Sequence, residues 1–305
     1  MTAKLIPVFD VTDATLTSSD IPENDYAVWS SGTTYAAGTP TVPVRVIKGH
    51  KIWDSVQASN LDNDPETDDG TWWSEYLATN RWKAFDSYIQ DQSSQADSMN
   101  WVVTPASVIN TVSLFNLDAA SVTVVVTDPT DGEVYNEVFD LLDNSAVIDG
   151  YTYFFEPIVQ KPNFCTTDLP PYSTAVISIT VTNTGGTAKV GQISLGLSKF
   201  LGITANEVPL GIDDYTRLNE DDFGRTSPTV RGYARTAAPM VMVDTDRIPY
   251  LENLIAGQRG LPAVWAFDTA EGENTLAYLG FFKSMNFIYQ YSSKTTLDLE
   301  IRSLV

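Results

Sequence analysis

The stretch Val176-Ile177-Ser178-Ile179-Thr180-Val181 alternates apolar and polar side chains without a break. Successive side chains of a β-strand point to opposite faces, so this spacing places Ile177, Ile179 and Val181 on one face. We therefore predict a strand over Ala175–Asn183 with one buried face. Strands of this kind, separated by Pro, Asp and Gly turns, are typical of a β-sandwich or jelly roll.

Further strand patterns lie on both sides of this stretch, between about residues 82 and 202. They lack the 3.6-residue periodicity of an amphipathic helix. The additional predicted strands are Val112–Leu117, Ser121–Asp128, Glu133–Leu141, Tyr151–Val159 and Val190–Leu197. We assign residues 81–206 to a single β-sandwich.

The last part of the chain, residues 207–305, contains the clearest helix pattern. Its apolar residues recur at helical spacing, and a glycine follows where the helix would end. The apolar residues are Ile248, Leu251, Leu254 and Ile255, and the glycine is Gly257. Strand patterns surround the helix, at Thr229–Asp244, Ala263–Phe267, Leu276–Tyr291 and Thr296–Ser303. The segment predicts a β domain with one α-helix and a closing antiparallel meander.

Residues 1–80 are rich in tryptophan and in turns. Six of the seven tryptophans lie between Trp29 and Trp101, and short strand patterns occur at Val42–Ile47 and Lys51–Ala58. This pattern predicts a small β module. The predicted fold class is therefore mainly β and multi-domain, with a small module at 1–80, a β-sandwich or jelly roll at 81–206 and a β domain with one helix at 207–305.

Aromatic side chains are the strongest sign of ligand binding in the first module. Tyrosine and tryptophan offer flat apolar faces with a polar edge, and a module of this size cannot bury all of them. We expect Tyr35, Trp53 and Trp72 to bind glycan by stacking, with hydrogen bonds from the polar loop Asp62–Gly70. A carbohydrate is favoured over a nucleobase because single-stranded nucleic acids need a basic groove.

Charge and composition exclude other partners. The chain has 39 acidic and 18 basic residues, a formal net charge of −21, which repels phosphate backbones. We therefore expect no nucleic-acid partner. No run approaches the roughly 18 apolar residues of a membrane span, and no signal peptide is visible, so we expect synthesis in the cytoplasm without membrane insertion.

Catalytic and metal-binding motifs are not evident. The single histidine, His50, is interpreted as a solvated turn residue, and the single cysteine, Cys165, as a buried free thiol. The acidic loop fails the calcium-loop pattern, because Thr67 and Trp73 stand where glycine and glutamate are needed. We expect no enzyme, no cofactor and no metal. A glycosidase needs only two carboxylates, so a polysaccharide-degrading enzyme stays open as an alternative.

The first module resembles the small chitin-binding-type carbohydrate-binding modules over about residues 26–77. The resemblance rests on Trp29–Gly38, on Val44–Trp53, on Asn60–Pro65 and on the pair Trp72-Trp73. It implies a glycan-binding surface formed by aromatic side chains.

The rest of the chain is similar to structural proteins of tailed bacteriophages. Trp82–Asp86, Val112–Val126 and Ile177–Gly196 resemble the galactose-binding-like jelly roll found in such proteins. Leu210–Tyr215, Phe223-Gly224 and Leu299–Arg302 are similar to the tail-tube-like β domains of tail-tip and distal tail proteins. In distal tail proteins the tube-like domain usually comes first, whereas these motifs place it last.

Together these resemblances imply a structural protein of the virion tail, at the tail tip or baseplate. The C-terminal domain would contact other tail proteins, the first module would contact host surface polysaccharide, and several copies or a homo-oligomeric ring would be present. A purely architectural virion protein, whose aromatics serve protein contacts alone, is the main alternative.

Overall fold

The computed structural model describes residues 2–143, 147–155, 157, 159–204, 208–220, 222–268, 276–289 and 293–304. Strands make up 53% of it and helices 7%, so the protein is mainly β, as predicted.

The chain forms the following elements. In chain order the strands are β1 (Thr2–Pro7), β2 (Leu16–Ser19), β3 (Arg45–Lys48), β4 (Lys51–Ser55), β5 (Trp73–Ala78), β6 (Ser93–Val103), β7 (Thr111–Asp118), β8 (Ser121–Asp128), β9 (Gly132–Asp140), β10 (Leu142–Asp143) and β11 (Val159–Gln160). They continue with β12 (Asn163–Thr166), β13 (Val176–Gly196), β14 (Lys199–Thr204), β15 (Leu210–Asp214), β16 (Arg217–Glu220), β17 (Thr226–Thr229), β18 (Tyr233–Ala237), β19 (Met240–Asp244), β20 (Ala263–Asp268), β21 (Leu276–Tyr289) and β22 (Lys294–Ser303). The described helices are α1 (Gly150–Phe155) and α2 (Ile248–Ala256), with short 3-10 turns at Lys83–Phe85 and Thr245–Arg247.

One sheet closes on itself to form an antiparallel barrel. Its strand order is β21-β20-β1-β14-β19-β22, and β22 pairs with β21 as well as with β19. Closure leaves these strands without a free edge. Strand β18 also pairs with β22, at Thr236 and Ala237, and carries β15 outside the ring.

The first strand of the chain, β1, is one of the barrel strands and has a paired neighbour on each side. β1 pairs with β14 on one side and with β20 on the other, where Leu5 lies opposite Trp265. Leu5 and Ala3 are fully buried in the barrel core. Strand pairing therefore crosses the boundaries predicted at residues 80 and 206. The sequence pattern did not indicate this, because no short-range periodicity encodes pairing between residues about 200 positions apart.

The barrel interior is filled by aromatic and aliphatic side chains and packs against helix α2. Trp265 and Phe267 of β20 belong to the same buried cluster as Ile248, Leu251 and Ile255 of the helix. The predicted apolar stripe is thus confirmed as the buried face of α2. A 3-10 turn at Thr245–Arg247 precedes the helix.

The predicted strands at 175–183 and 190–197 are one strand, β13, of 21 residues. Ile177, Ile179 and Val181 are buried, which confirms the face predicted from their alternation. The first half of β13 lies between β6 and β8, and the second half between β6 and β7. The strand bends near Gly185, whose φ of 76° is a conformation that favours glycine. Buried side chains from both halves form a single core.

The predicted strand Tyr151–Val159 is wrong over its first part. Gly150–Phe155 form helix α1, and Val159–Gln160 form a short strand. Asp149 and Thr152 explain the helix, because the Asp149 carboxylate accepts a hydrogen bond from the Thr152 backbone N–H at 2.8 Å. An acceptor placed one turn ahead stabilises a helix start and competes with the strand propensity of Tyr and Phe.

The small module is a three-stranded sheet, β3-β4-β5, with Val46, Ile52 and Trp73 buried. It lies in the chain between β2 and β6, which pair with each other in a seven-stranded sheet that also contains β7, β8, β9, β12 and β13. The strands of this sheet in turn lie between β1 and β14 of the barrel. The units are therefore nested, with the small module inserted into the seven-stranded sheet and that sheet inserted into the barrel.

The barrel and the seven-stranded sheet share a buried contact. Ile6, Val264 and Leu279 of the barrel pack in one cluster with Phe115 of β7. Cys165 is half-buried beside this cluster and accepts a hydrogen bond from the Ser113 hydroxyl at 3.1 Å, so it is less buried than predicted.

Candidate functional site

A shallow cleft lies on the surface of the small module beside Trp72. Its volume is about 550 Å³, and its lining consists of Asp62, Asn63, Asp64, Thr67, Asp68, Asp69, Thr71 and Trp72. The lining combines one indole with carboxylate, amide and hydroxyl groups. An apolar surface flanked by many hydrogen-bonding groups suits a ligand that is flat on one face and rich in hydroxyls.

Asp68 organises the cleft. Its Oδ2 accepts hydrogen bonds from the backbone N–H groups of Gly70 at 3.1 Å, Trp72 at 3.0 Å and Trp73 at 2.9 Å. These three bonds tie the end of the acidic loop to the start of β5. The position of Trp72 is therefore fixed by a carboxylate that comes from within the loop itself.

The two adjacent tryptophans have different environments. Trp73 is fully buried, and its Nε1 donates to the Asn63 carbonyl at 2.9 Å. Adjacent side chains of an extended chain point in opposite directions, so burial of Trp73 turns Trp72 toward the surface. Trp72 is half-buried and lines the cleft.

Tyr35 and Trp53, the other two predicted glycan-binding residues, do not line the cleft. The Tyr35 ring packs edge-on against Trp73 at 5.1 Å, and its hydroxyl accepts a hydrogen bond from the Ser30 N–H at 2.9 Å. Trp53 donates its Nε1–H to the Lys48 carbonyl at 3.0 Å. Both side chains thus support the module. Trp72 and the acidic loop therefore lie together, whereas Tyr35, Trp53 and Trp72 do not form one surface.

Lys48 holds the acidic loop against the sheet. Its Nζ lies 2.5 Å from Asp64 Oδ2 and 3.8 Å from Glu66 Oε2, and it stands 4.1 Å above the ring of Trp29. The hydrogen bond from Lys48 keeps the pKa of Asp64 below its usual range. Sequence reasoning missed this role because nothing in the pattern around Lys48 indicates its distant carboxylate partners.

Among the residues that the structure describes, no group of three or more His, Cys, Asp and Glu side chains could hold a metal ion. Asp64, Asp68 and Asp69 each accept hydrogen bonds from the protein itself. The carboxylates therefore act as acceptors within the loop.

His50 is not the solvated turn residue that the sequence suggested. Its Nδ1 lies 2.8 Å from Glu23 Oε1, its Nε2 lies 2.8 Å from Asp13 Oδ2, and its ring packs on Trp82 at 4.6 Å. Asp13 and Glu23 flank strand β2, which pairs with β6 in the seven-stranded sheet. His50 therefore ties the turn between β3 and β4 to that sheet. Its φ of 63° is a left-handed conformation, which matches the predicted turn.

The pKa of His50 predicts a pH-dependent stability. Burial lowers the pKa of the ring, but hydrogen bonds to Asp13 and Glu23 outweigh burial and raise the pKa above 6.5. A group whose pKa is raised on folding stabilises the fold while it is protonated. This stabilisation is complete below the ordinary pKa of about 6.5 and is lost as the pH rises through the raised value.

We therefore expect the urea midpoint of the wild-type protein to fall as the pH is raised from about 6 to about 9, because neutral imidazole can donate only one of the two bonds. His50→Asn, which tolerates the left-handed backbone, should remove most of this slope. An unchanged slope in the variant would mean that the His50 contacts contribute nothing.

One carboxyl outside the cleft has a strongly shifted pKa. Burial raises the pKa of Asp86 to about 7, and the negative charge of Asp91 adds to the effect. Lys83 pairs with Asp91 at 3.0 Å. A raised carboxyl pKa is a property of general acids, but neither aspartate lines the cleft at Trp72.

Comparison with protein-family models, with curated proteins and with solved structures finds no match to this chain. Within the described part of the chain, none of the helices has the length and apolar character needed to cross a membrane.

Proposed function

We propose that this protein is a structural component of a bacteriophage tail tip or baseplate and that it contacts host glycan through the cleft at Trp72. The observation that carries the glycan contact is the composition of the cleft, in which a single indole lies among carboxylate, amide and hydroxyl groups. The barrel contacts other tail proteins, and the inserted sandwich holds the small module away from that contact. The protein acts in the virion after synthesis in the host cytoplasm.

Binding at the cleft combines stacking with hydrogen bonds. The apolar face of a sugar ring lies on Trp72, and its hydroxyls donate to the aspartates or to the Thr71 hydroxyl oxygen, or accept from the Asn63 amide. An open cleft with one aromatic gives a weak single contact. Several copies in one particle raise the overall affinity, because later contacts become intramolecular.

The nesting of the units supports the tail assignment. Strand β1 opens the barrel, so a β domain with one helix starts the chain and the other units are inserted into it. This order agrees with the usual position of the tube-like domain in distal tail proteins. In this proposal the inserted unit between β1 and β14 is a galactose-binding-like jelly roll, and the module within it is of the chitin-binding type.

A purely architectural role is the second candidate. It is favoured by the apolar side chains that residues 208–237 expose, among them Ile212, Leu218 and Val230. The third candidate, a polysaccharide-degrading tail enzyme, requires that incubation with host polysaccharide release new reducing ends. An assay for those ends tests it directly.

Replacing Trp72 by alanine should abolish glycan binding without loss of assembly. Truncating a tryptophan at the centre of a contact costs on the order of 2 kcal/mol, so we expect an affinity loss of at least about tenfold. Isothermal titration calorimetry with a panel of host-surface glycans measures it, and Tyr88→Ala is the control because Tyr88 is exposed outside the cleft.

The two outcomes separate the leading proposals. Intact particles with poor adsorption in the Trp72 variant support glycan contact. Lost particle assembly, or no glycan response in the wild-type protein, supports the architectural role.

A further inference from the structure

Residues 208–220 and 222–237 form a projecting arm beside the barrel. The arm contains β15 and β18, which pair with each other, and the separate hairpin β16–β17. Its base is fixed by Arg302, which pairs with Asp213 at 3.7 Å and lies over the ring of Tyr215. The arm therefore has a defined direction relative to the barrel.

Three of the four strands of the arm are open to solvent, whereas β18 is anchored to β22 of the barrel. Every residue of β15, β16 and β17 is exposed. An isolated two-stranded hairpin is only marginally stable in water, and unpaired strand edges invite pairing with other chains. A protein bound over the arm would stabilise the hairpin and would shield its unpaired strand edges.

The side chains on the arm are those of a protein interface. Leu210, Ile212, Leu218 and Val230 are between 52% and 82% exposed. Among the residues that the structure describes, Arg217 and Arg231 have no ion pair. Arginine is enriched in protein interfaces over the rest of a surface, and contiguous exposed apolar side chains mark interaction sites.

Charge indicates what kind of partner covers the arm. The segment 208–237 carries four arginines and five acidic residues, so it is close to neutral, whereas the whole chain has a net charge of −21. Nearly all of the negative charge therefore lies outside the arm. An arginine-bearing arm on a strongly acidic body is complementary to the body of a second copy.

The outer surface of the barrel offers a matching apolar patch, which we call the barrel face. Strand register places Ile203 opposite Met242, Met242 opposite Thr296, and Thr296 opposite Ile288. Ile203, Met242 and Ile288 are between 45% and 57% exposed. Met240, which is 49% exposed on the same strand as Met242, lies opposite Asp298.

We propose that the arm of one molecule binds the barrel face of a second copy of the same chain. Leu218 and Val230 cover Met242 and its neighbours, and the free guanidinium groups of Arg217 and Arg231 approach Asp298. The inference deepens the proposed tail function and rests on it in one respect, that several copies lie side by side. It does not depend on glycan binding at Trp72.

The proposed contact joins two different surfaces, so each molecule keeps a free arm or a free face after one contact has formed. Such head-to-tail contacts close into a ring or continue as a filament. The geometry therefore predicts assemblies larger than a dimer.

The first experiment measures the mass of the full-length protein by sedimentation over a wide concentration range. We expect the wild-type protein to associate, and the variant Leu218→Asp with Val230→Asp to be monomeric, with the association constant reduced at least about 100-fold. Val138→Asp is the matched control, because Val138 is 66% exposed on the sandwich and Leu218 is 68% exposed on the arm. The control should associate like the wild type.

A second experiment tests the head-to-tail geometry. The arm variant and a face variant, Met242→Asp, are each expected to be monomeric alone, but a mixture should form one-to-one dimers and nothing larger. Reversing the charges in one chain, with Arg217→Glu, Arg231→Glu and Asp298→Arg together, should restore part of the association that Asp298→Arg alone removes.

A monomeric wild-type protein at every concentration, or an arm variant that associates like the wild type, overturns the proposal. Glycan titration of the same variants separates this failure from failure of the proposed function. A monomeric arm variant whose Trp72 fluorescence still changes with glycan supports both inferences. A wild-type protein that associates but shows no fluorescence change with glycan overturns the glycan contact alone.

Discussion

Leu5→Ala is expected to lower the free energy of unfolding of the barrel by about 2–5 kcal/mol, as truncation of fully buried leucines does. Leu5 is completely buried, and its strand pairs on both sides within the barrel. Native domains are stable by only about 5–15 kcal/mol, so the loss is a large share of the total. Urea unfolding followed by circular dichroism measures it.

Phe200→Ala provides the control for this prediction. Phe200 lies on β14, opposite Lys4 of β1, and is 44% exposed. We expect its truncation to cost less than about 1 kcal/mol, as for most exposed side chains. Equal effects of the two substitutions would show that β1 is not part of the barrel core.

The second large effect is expected at Asp68. Asp68→Ala leaves three backbone N–H groups without their shared acceptor, and hydrogen bonds to a charged group contribute about 1.5–3 kcal/mol each when buried. Asp68 is only half-buried, so water replaces part of the loss. We expect about 2–3 kcal/mol of destabilisation in the small module and a changed near-ultraviolet circular dichroism of its tryptophans.

Asp69→Ala is the matched control for Asp68, since it changes the neighbouring carboxylate of the same loop. The exposed Asp69 carboxylate accepts hydrogen bonds from the backbone N–H and the hydroxyl of Thr71, so its loss should destabilise the module much less than the loss of Asp68. The variant should retain glycan binding if the Asp69 carboxylate is not itself a ligand contact. If Asp68→Ala leaves the spectrum and stability as Asp69→Ala does, the three backbone bonds do not position Trp72.

Local sequence patterns predicted the elements whose environment is decided by near neighbours. The alternation at Ile177, Ile179 and Val181 correctly gave a buried strand face, and the stripe through Ile248, Leu251 and Ile255 correctly gave the buried face of α2. These patterns work because the period of the side chains alone determines which of them share a face.

Long-range contacts could not be read from the sequence. Nothing in Thr2–Pro7 indicates that it pairs with strands near residues 200 and 265. The same limit applies to the candidate site, where composition indicated aromatics in the first module but not that Trp73 is core and Trp72 surface. His50 was misread for a related reason, because its carboxylate partners are 27 and 37 residues away.

The most direct test of the nested architecture is native-state hydrogen exchange at the backbone amides of residues 3–6, compared with those of residues 264–267. If β1 lies between β14 and β20, both sets of amides exchange only through unfolding of the whole barrel, and their protection is equal. Fast exchange at residues 3–6 while residues 264–267 stay protected would contradict the account, because the chain would then begin outside the barrel.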